Sequence, residues 1–177
     1  MTWFQADAYC RAVGKRLPTA AQWELAARGV DSRSYPWGND PPTAHLLDVC
    51  DHDCAQWLDR RGFVGPSMYK DSDSDGFATT APVNSYPDGA SPFGVLQMAG
   101  DVAEWTADEY VAPYPAGPLE DPPPVTTEAA AGDKRYELRG GGWLANDAAK
   151  VRAAYRGWNR PAVRDIGNGF RCARAPR

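Results

Sequence analysis

The chain has 177 residues, 43% of them apolar, which is enough for one domain with a hydrophobic core. Seven tryptophans argue against a disordered chain. The formal net charge of -4, with Lys and Arg spread along the sequence, gives no basic run of the kind that binds nucleic acid. No run of about 18 apolar residues is present, so no transmembrane helix is predicted.

Two short helices are predicted at the start of the chain, and each opens with a capping box. In Thr2–Gln5 and Thr19–Gln22, the threonine hydroxyl can accept from a backbone N–H while the glutamine reaches back. Gly14 and Gly29 follow at helix length, where a glycine commonly ends a helix. The sequence therefore predicts helices after Thr2 and after Thr19.

Long irregular stretches follow these helices. From Tyr35 to Ala90 the chain is rich in Gly, Pro, Asp and Asn, without a clear helical or strand period. Such a stretch needs metals, disulfides or aromatic packing to hold it together. A proline-rich stretch from Pro113 to Asp133 is predicted to be a surface loop, because strand-like Arg135–Arg139 follows at once. The predicted fold class is α+β, with few regular elements and long loops.

The cysteines Cys10, Cys50, Cys54 and Cys172 allow two disulfides or four reduced, buried thiols. The favoured pairing joins Cys10 with Cys172 and Cys50 with Cys54, which would imply an oxidising compartment. Zinc is a further alternative for the middle segment. On an extended strand Cys50, His52 and Cys54 would share one face, and sulfur and nitrogen ligands suit zinc.

An acidic turn, Asp71–Phe77, alternates carboxylates with serines before Gly76. Calcium takes several oxygen ligands, so clustered carboxylates and a backbone carbonyl suit it. The helix–loop–helix type of calcium loop would end in Glu, but that position holds Pro82. A different calcium site could use Asp75 and the Phe77 carbonyl, and the alternative is a solvated acidic turn.

A second candidate for a cation is the segment Gln97–Trp105. Its turn at Gly100 offers carbonyl oxygens, and Glu104 adds a carboxylate. A glutamate beside a tryptophan is more often a buried, hydrogen-bonded structural acid, so this segment alone is a weak candidate for a cation site.

Conventional active sites are not found in the sequence. His45 and His52 both lie in the irregular region, and no Ser or Cys sits beside them in a nucleophile turn. Gly140–Gly142 is followed by neither Lys-Ser/Thr nor a helix cap. We therefore interpret these glycines as closely packed backbone rather than a phosphate-binding loop.

A series of short blocks resembles a known family when the blocks are taken in order. They are Ala8–Cys10, Gly14–Thr19, Gln22–Gly29, Tyr35–Asn39, Ala81–Val83, Met98–Trp105, Leu138–Gly141 and Gly169–Cys172. The chain thereby resembles the formylglycine-generating enzyme, or sulfatase-modifying factor, family along almost its whole length. Family domains usually begin well before the block at Trp3. The resemblance thus implies a single domain over residues 1–177 that lacks its N-terminal portion.

The resemblance implies a variant of the C-type-lectin fold that calcium stabilises, with Cys10 and Cys172 close together. It also implies two calcium sites. The first set is Asp48, the Val49 carbonyl, Asp75 and the Phe77 carbonyl. The second set is Gln97, the Gly100 and Val102 carbonyls and Glu104. Gln97 stands where the family usually has Asp or Asn, and a neutral amide binds calcium more weakly than a carboxylate.

The same resemblance implies the loss of the family's copper site. Catalytic members oxidise a substrate cysteine to formylglycine with oxygen, using copper(I) held on two cysteines after the Arg-Gly-Gly motif, since soft thiolates select that ion. Those positions are Ala145 and Lys150 here, and Gly142 replaces a serine. The segment Arg139–Arg171 has no cysteine to substitute. Copper, and with it the copper-dependent reaction, is not expected.

The leading hypothesis is a non-catalytic domain that binds a peptide, protein or small molecule through the cleft left by the lost site. The candidate residues are aromatic, charged or amide side chains: Trp143, Asn146, Asp147, Lys150, Arg152, Tyr155, Trp158, Asn159 and Arg160. The aromatic members could instead belong to the core. Relatives of this kind serve as sensor or accessory domains joined to kinases and as variable display proteins.

The alternative hypothesis is an enzyme. One version is a formylglycine-generating oxidase that converts a cysteine of a sulfatase-type substrate without the usual cysteines. The other is a relative of the iron-dependent sulfoxide synthases, which need a His-rich partner domain. With two histidines in the sequence and no His-x3-His pair, the second version is disfavoured. The favoured disulfides indicate an extracytoplasmic location.

Overall fold

The computed structural model describes residues 1–64, 67–68, 73–113, 124, 126 and 133–174. Within these ranges the regular elements are α1 (Trp3–Ala12), α2 (Ala20–Arg28), α3 (His52–Asp59), β1 (Ala103–Glu109), β2 (Tyr136–Arg139), β3 (Gly157–Asn159) and β4 (Asn168–Phe170). Short 3-10 helices lie at Pro87–Gly89 and Ala148–Val151. This confirms the predicted α+β class with long loops. Among the described helices, none combines the length and the apolar character that spanning a membrane requires.

The two predicted helices are present, and both capping boxes form. In α1 the Thr2 hydroxyl accepts from the Gln5 backbone N–H at 3.2 Å, while the Gln5 side chain accepts from the Thr2 N–H at 3.1 Å. Thr19 and Gln22 repeat this exchange at the start of α2. Helix α2 ends at Gly29, as predicted, and its positive φ of 63° is one that glycine adopts readily.

Helix α3 was not predicted, and it corrects the extended reading of the Cys50–Cys54 segment. Asp51 caps the helix by accepting from the Cys54 N–H at 3.0 Å. His52 is consequently exposed on the first turn, where it contacts Gln56, and does not face the two cysteines along a strand.

The sheet has the strand order β3-β2-β1-β4. β1 pairs antiparallel with β2 and parallel with β4, and β2 pairs antiparallel with β3. In this register Glu104 lies between Arg139 and Gly169 on the neighbouring strands. The ends of β1 and β2 thus bring the two family blocks that contain Glu104 and Arg139 side by side.

The two N-terminal helices pack on the central strand β1. Trp3 donates its indole N–H to the Thr106 carbonyl at 2.7 Å, and Trp23 donates to Glu104 at 2.7 Å. Trp105 is fully buried in a cluster with α1 and β2. Because the indoles are both apolar and hydrogen-bonded, they fix each helix on the sheet at a defined position.

Both favoured disulfides form. Cys10 of α1 pairs with Cys172 after β4, with 5.5 Å between their Cα atoms. Cys50 pairs with Cys54 at the start of α3, with a Cα separation of 5.0 Å. Since both sulfur atoms of the second pair are bonded to each other, the zinc alternative for that segment is wrong.

Candidate functional site

The first predicted calcium set is gathered in buried loops. Asp75 accepts from the Val49 backbone N–H at 2.9 Å and from the Phe77 N–H at 3.0 Å. Asp48 is almost completely buried, and neither of its carboxylate oxygens has a hydrogen-bond partner among the described residues. An unpartnered carboxylate in the interior is unfavourable unless it takes up a proton or a cation.

The carboxylates around this set affect one another's ionisation. Burial, followed by repulsion from Asp75 and Asp101, raises the pKa of Asp48 to about 9. Burial also raises the pKa of Asp75 to about 6, against the lowering effect of its backbone hydrogen bonds. The pKa of Asp101 is raised, mainly by burial. A bound cation would favour the charged form of all three groups.

Asp51 also belongs to this acidic cluster, although it was not predicted to. Its second carboxylate oxygen accepts from the Asp75 N–H at 2.8 Å, so one side chain both caps α3 and positions Asp75. In the sequence, Asp51 is recognisable as a helix cap, because it is an Asp placed before a short helical segment. Asp71 and Ser72 of the predicted acidic turn lie outside the described residues.

No group of three or more His, Cys, Asp or Glu side chains with the arrangement of a metal site is found in the described part of the chain. Both predicted calcium sets consist partly of backbone carbonyl oxygens, whereas a group of this kind consists of side chains alone. In the first set, the observation that bears on a cation is the pair of unpartnered carboxylate oxygens of Asp48.

The second predicted set is more fully satisfied by the protein itself. Glu104 accepts from Arg171 through both oxygens, at 2.6 and 2.7 Å, and also from the Trp23 indole. The Gln97 side chain donates to the Pro82 carbonyl at 2.6 Å, while its buried Oε1 has no partner among the described residues. Of the two side chains in this set, Gln97 is therefore the one whose oxygen is left for a cation, since Arg171 already neutralises Glu104.

Gly100 connects the two sets. Its φ is +75°, and a side-chain carbon at this position would collide with the Asp48 carbonyl oxygen. The next residue, Asp101, donates its N–H to the same carbonyl at 2.9 Å. This close backbone contact holds the loop of the first set against the segment of the second.

A separate cleft of about 360 Å³ opens beside the sheet. Its described lining comprises Ala103, Tyr110, Leu138, Gly141, Gly142, Leu144, Ala145, Lys150, Tyr155, Arg156, Gly157 and Trp158. Three of these, Gly142, Ala145 and Lys150, are the positions that the family resemblance assigned to catalysis. A cleft therefore lies at these three positions.

Three of the predicted ligand-binding residues line this cleft. Trp158 and Tyr155 are 42% and 38% exposed, and Lys150 is also exposed. Asn146 lies next to them, since its side-chain oxygen accepts from the Lys150 ammonium at 3.0 Å. These residues form the surface that a bound molecule would contact.

Trp143 must be reassigned from this surface to the core. It is 2% exposed, packs edge-to-face on Trp57 and contacts the Cys50–Cys54 disulfide. Its indole N–H points to the Ile166 carbonyl at 3.3 Å. An aromatic residue beside a glycine turn carries no periodicity, so the sequence alone did not separate core from surface here.

The other predicted residues lie outside the described lining of the cleft. Arg152 donates to the Ser34 hydroxyl at 3.3 Å. Asp147 caps the second 3-10 helix through the Ala149 N–H, and Asn159 accepts from the Arg160 N–H. Their observed contacts are with neighbouring parts of the chain.

Tyr110 and Arg156 are cleft residues that were not predicted. Arg156 donates to Glu137 at 2.6 Å and lies over the Tyr110 ring, with its guanidinium carbon 4.8 Å from the ring centroid. The two residues are separated by 46 positions (156 minus 110) and meet because β1, β2 and β3 are paired. No local pattern in the sequence marks such a meeting.

The residues present do not fit the family's copper ion. Ala145 has no donor atom, and Lys150 places an ammonium where a cation would bind. All four cysteines of the chain are in disulfides. Copper(I) selects thiolate ligands, and none is offered here.

A more open groove of about 460 Å³ runs along α2, lined in part by Glu24, Leu25 and Arg28. Its charged residues are already joined, because Arg28 pairs with Glu24 at 2.8 Å. We therefore take the cleft beside the sheet as the candidate functional site.

The fold and the cleft define the class of domain that contains the formylglycine-generating enzymes. Residues 1–176 match the model of the family described as sulfatase-modifying factor enzyme 1-like domain, and the chain belongs to this family.

Curated relatives of different activity resemble the chain to a similar degree. It is 36% identical to a formylglycine-generating enzyme of Thermomonospora curvata, over 99% of the chain and 54% of the relative. It is 35% identical to a hercynine oxygenase of Mycolicibacterium thermoresistibile, over 98% and 34%. It is 33% identical to the inactive C-alpha-formylglycine-generating enzyme 2 of Bos taurus, over 98% and 48%. The chain thus spans about half the length of these relatives, or less.

Solved structures support the same fold. PvdO from Pseudomonas aeruginosa superposes with a TM-score of 0.71 at 23% identity, covering 96% of this chain and 58% of PvdO. Treponema denticola variable protein 1 superposes with a TM-score of 0.64 at 24% identity, covering 91% and 48%. At such identities these likenesses show the fold alone.

Proposed function

We propose that this domain binds a ligand through the cleft beside the sheet and does not carry out the copper-dependent oxidation of its family. The observation that carries the proposal is the composition of the cleft. Where the family's copper ligands belong, it presents Ala145 and Lys150, together with the exposed rings of Tyr155 and Trp158. A relative named as inactive supports the idea that the family includes members without the reaction.

Calcium is the second part of the proposal, as a structural ion at the first set. Asp48 and Asp75 would supply carboxylates. Val49 and Phe77, whose N–H groups donate to Asp75, would add their carbonyl oxygens. The ion would supply the positive charge that the buried carboxylates lack. The two disulfides in addition favour an oxidising, extracytoplasmic compartment.

The copper part of the proposal is tested by titrating the protein with copper(I) and measuring oxygen uptake on a Cys-x-Pro-x-Arg peptide. We expect neither tight copper binding nor turnover. The double variant Ala145→Cys with Lys150→Cys is the matched control, because it returns two thiols to the cleft and should bind copper(I). Tight binding with turnover by the unaltered protein would establish the alternative, a formylglycine-generating oxidase.

The binding part is tested with a mixed library of acidic, neutral and basic aromatic fragments. Amide shifts of the cleft glycines Gly141, Gly142 and Gly157 report occupancy. We expect shifts that Trp158→Ala abolishes without lowering the melting temperature. Phe93→Ala removes an exposed ring that does not belong to the described lining and should change nothing. Absence of cleft shifts with every fragment would contradict ligand binding.

A further inference from the structure

The cleft carries a charge of one sign among its described residues. Lys150 and Arg156 line it, and no aspartate or glutamate belongs to its described lining. Arg135 stands at the rim, with its guanidinium carbon 3.9 Å from the centroid of the Trp158 ring. Three cations therefore lie in or beside a cleft whose remaining lining is apolar, aromatic or glycine backbone.

The two cations in the lining of the cleft, Lys150 and Arg156, differ in the partners that their charges contact. Arg156 donates twice to Glu137, at 2.6 and 3.0 Å, and once to the Val111 carbonyl. Its charge is thus largely engaged by the protein. Lys150 donates to the neutral Asn146 amide, and the described residues give it no ion pair. Of the two lining cations, Lys150 is therefore the one whose positive charge is available to a ligand.

The aromatic lining is fixed in place next to this charge. Trp158 lies on β3 between Arg135 on its face and the Tyr110 ring, whose centroid is 6.3 Å away. Tyr155 lies at the turn before β3 and packs near Gly157. A flat apolar group could contact these rings while its polar end reaches Lys150.

We infer that the cleft binds a small organic anion, with its carboxylate on Lys150 and an aromatic body against Tyr155 and Trp158. The inference rests on the proposed ligand-binding function and names the chemical class of its ligand. A hydrogen bond from a charged donor to a carboxylate is stronger than one from the same donor to a neutral amide. The volume of about 360 Å³ falls in the range of small-molecule sites.

The test uses three probes with one aromatic body and different heads: 3-phenylpropionate, 3-phenylpropionamide and 3-phenylpropylamine. Affinities are measured from the amide shifts of Gly141, Gly142 and Gly157. We expect the acid to bind about threefold more tightly than the amide, and the amine more weakly still. Added salt should weaken the binding of the acid but not that of the amide or the amine.

Lys150→Met should remove the preference for the acid while leaving the amide's affinity within about twofold. The matched control is Lys15→Met, because Lys15 is an exposed lysine after α1 that does not belong to the described lining. It should keep the full preference. This variant pair separates a specific contact from the effect of net charge.

Equal binding of all three probes would overturn the inference and leave the proposed function standing. Persistence of the acid preference in Lys150→Met would also overturn it, by assigning the preference to another cation. If none of the three probes shifts the cleft amides, the inference is likewise wrong. The fragment library then decides separately whether the cleft binds any ligand.

Discussion

The sheet region and the loop region of this domain bury carboxylates in opposite ways. In the sheet region, comprising the four strands with α1 and α2, Glu104 pairs with Arg171 and Glu137 pairs with Arg139. In the loop region around Asp48, the buried aspartates have no ion pair among the described residues. The sheet region thus neutralises Glu104 and Glu137 with its own arginines, whereas Asp48 in the loop region needs a proton or a cation from outside.

Replacement of the two disulfides is the first test of this comparison, and it should have the largest effect on stability. Cys10 and Cys172 are separated by 162 positions, and Cys50 and Cys54 by 4. Replacing both members of the long-range pair by Ser should lower the free energy of unfolding by about 4–5 kcal/mol, because a long loop is freed in the unfolded chain. Replacing the short-range pair should cost about 2 kcal/mol.

Denaturant unfolding of the two double variants measures this difference. Variants with one cysteine of a pair replaced by Ser serve as controls, because losing either member breaks the same disulfide and should cost about as much as the double replacement. Equal losses for the two pairs would contradict the loop-length argument, and native contacts around Cys50 would then have to account for the result.

Replacement of Arg139 is the second test of this comparison. Its side chain is 0% exposed and donates to Glu137, Glu24 and the Ala153 carbonyl. Arg139→Met would leave Glu137 buried with one fewer partner, so we expect a loss of about 3–5 kcal/mol of unfolding free energy.

The control for Arg139 is Arg11→Met, which removes an exposed pair with Asp7 within α1 and should cost less than about 1 kcal/mol. Thermal and denaturant unfolding compare the two variants. Losses of similar size would show that the buried pairs of the sheet region contribute no more than surface pairs do.

Whether a feature of the fold could be predicted from the sequence depends on how far apart along the chain its contacting residues lie. The helices after Thr2 and Thr19 were predicted because a capping box is complete within four residues. The positions Ala145 and Lys150 were assigned because the block Leu138–Gly141, shortly before them, resembles that of the family. Both kinds of signal lie within short, continuous segments.

The failures arose where distant segments meet or where two local patterns compete. Arg156 reaches the cleft only after β2 pairs with its neighbours on both sides. Helix α3 was missed because the alternating Cys50, His52 and Cys54 resembled a strand, while Asp51 caps a helix there. Trp143 was placed on the surface because its burial depends on Trp57, far away in the sequence.

Removal of calcium tests the loop region, and its expected effect on stability is the smallest of the three. An ion bound by the native state alone, at about a hundredfold excess over its dissociation constant, adds about 2.7 kcal/mol of stability. Excess chelator should therefore lower the melting temperature by several degrees. Asp48→Asn should reduce this response, whereas Asp88→Asn, on the exposed 3-10 helix, should retain it.

The same experiment predicts the sign of a pH effect. In the calcium-free protein, burial raises the pKa values of Asp48 and Asp75 above their ordinary value, so the folded state favours the neutral carboxyls. Their contribution to stability is fully present below that ordinary value and is lost as the pH rises through about 6 and about 9. Calcium replaces the protons, so the difference between melting curves with calcium and with chelator should grow from acidic to mildly alkaline pH. Coincident curves at both ends of this range would remove calcium from the loop region and leave its aspartates neutralised by protons alone.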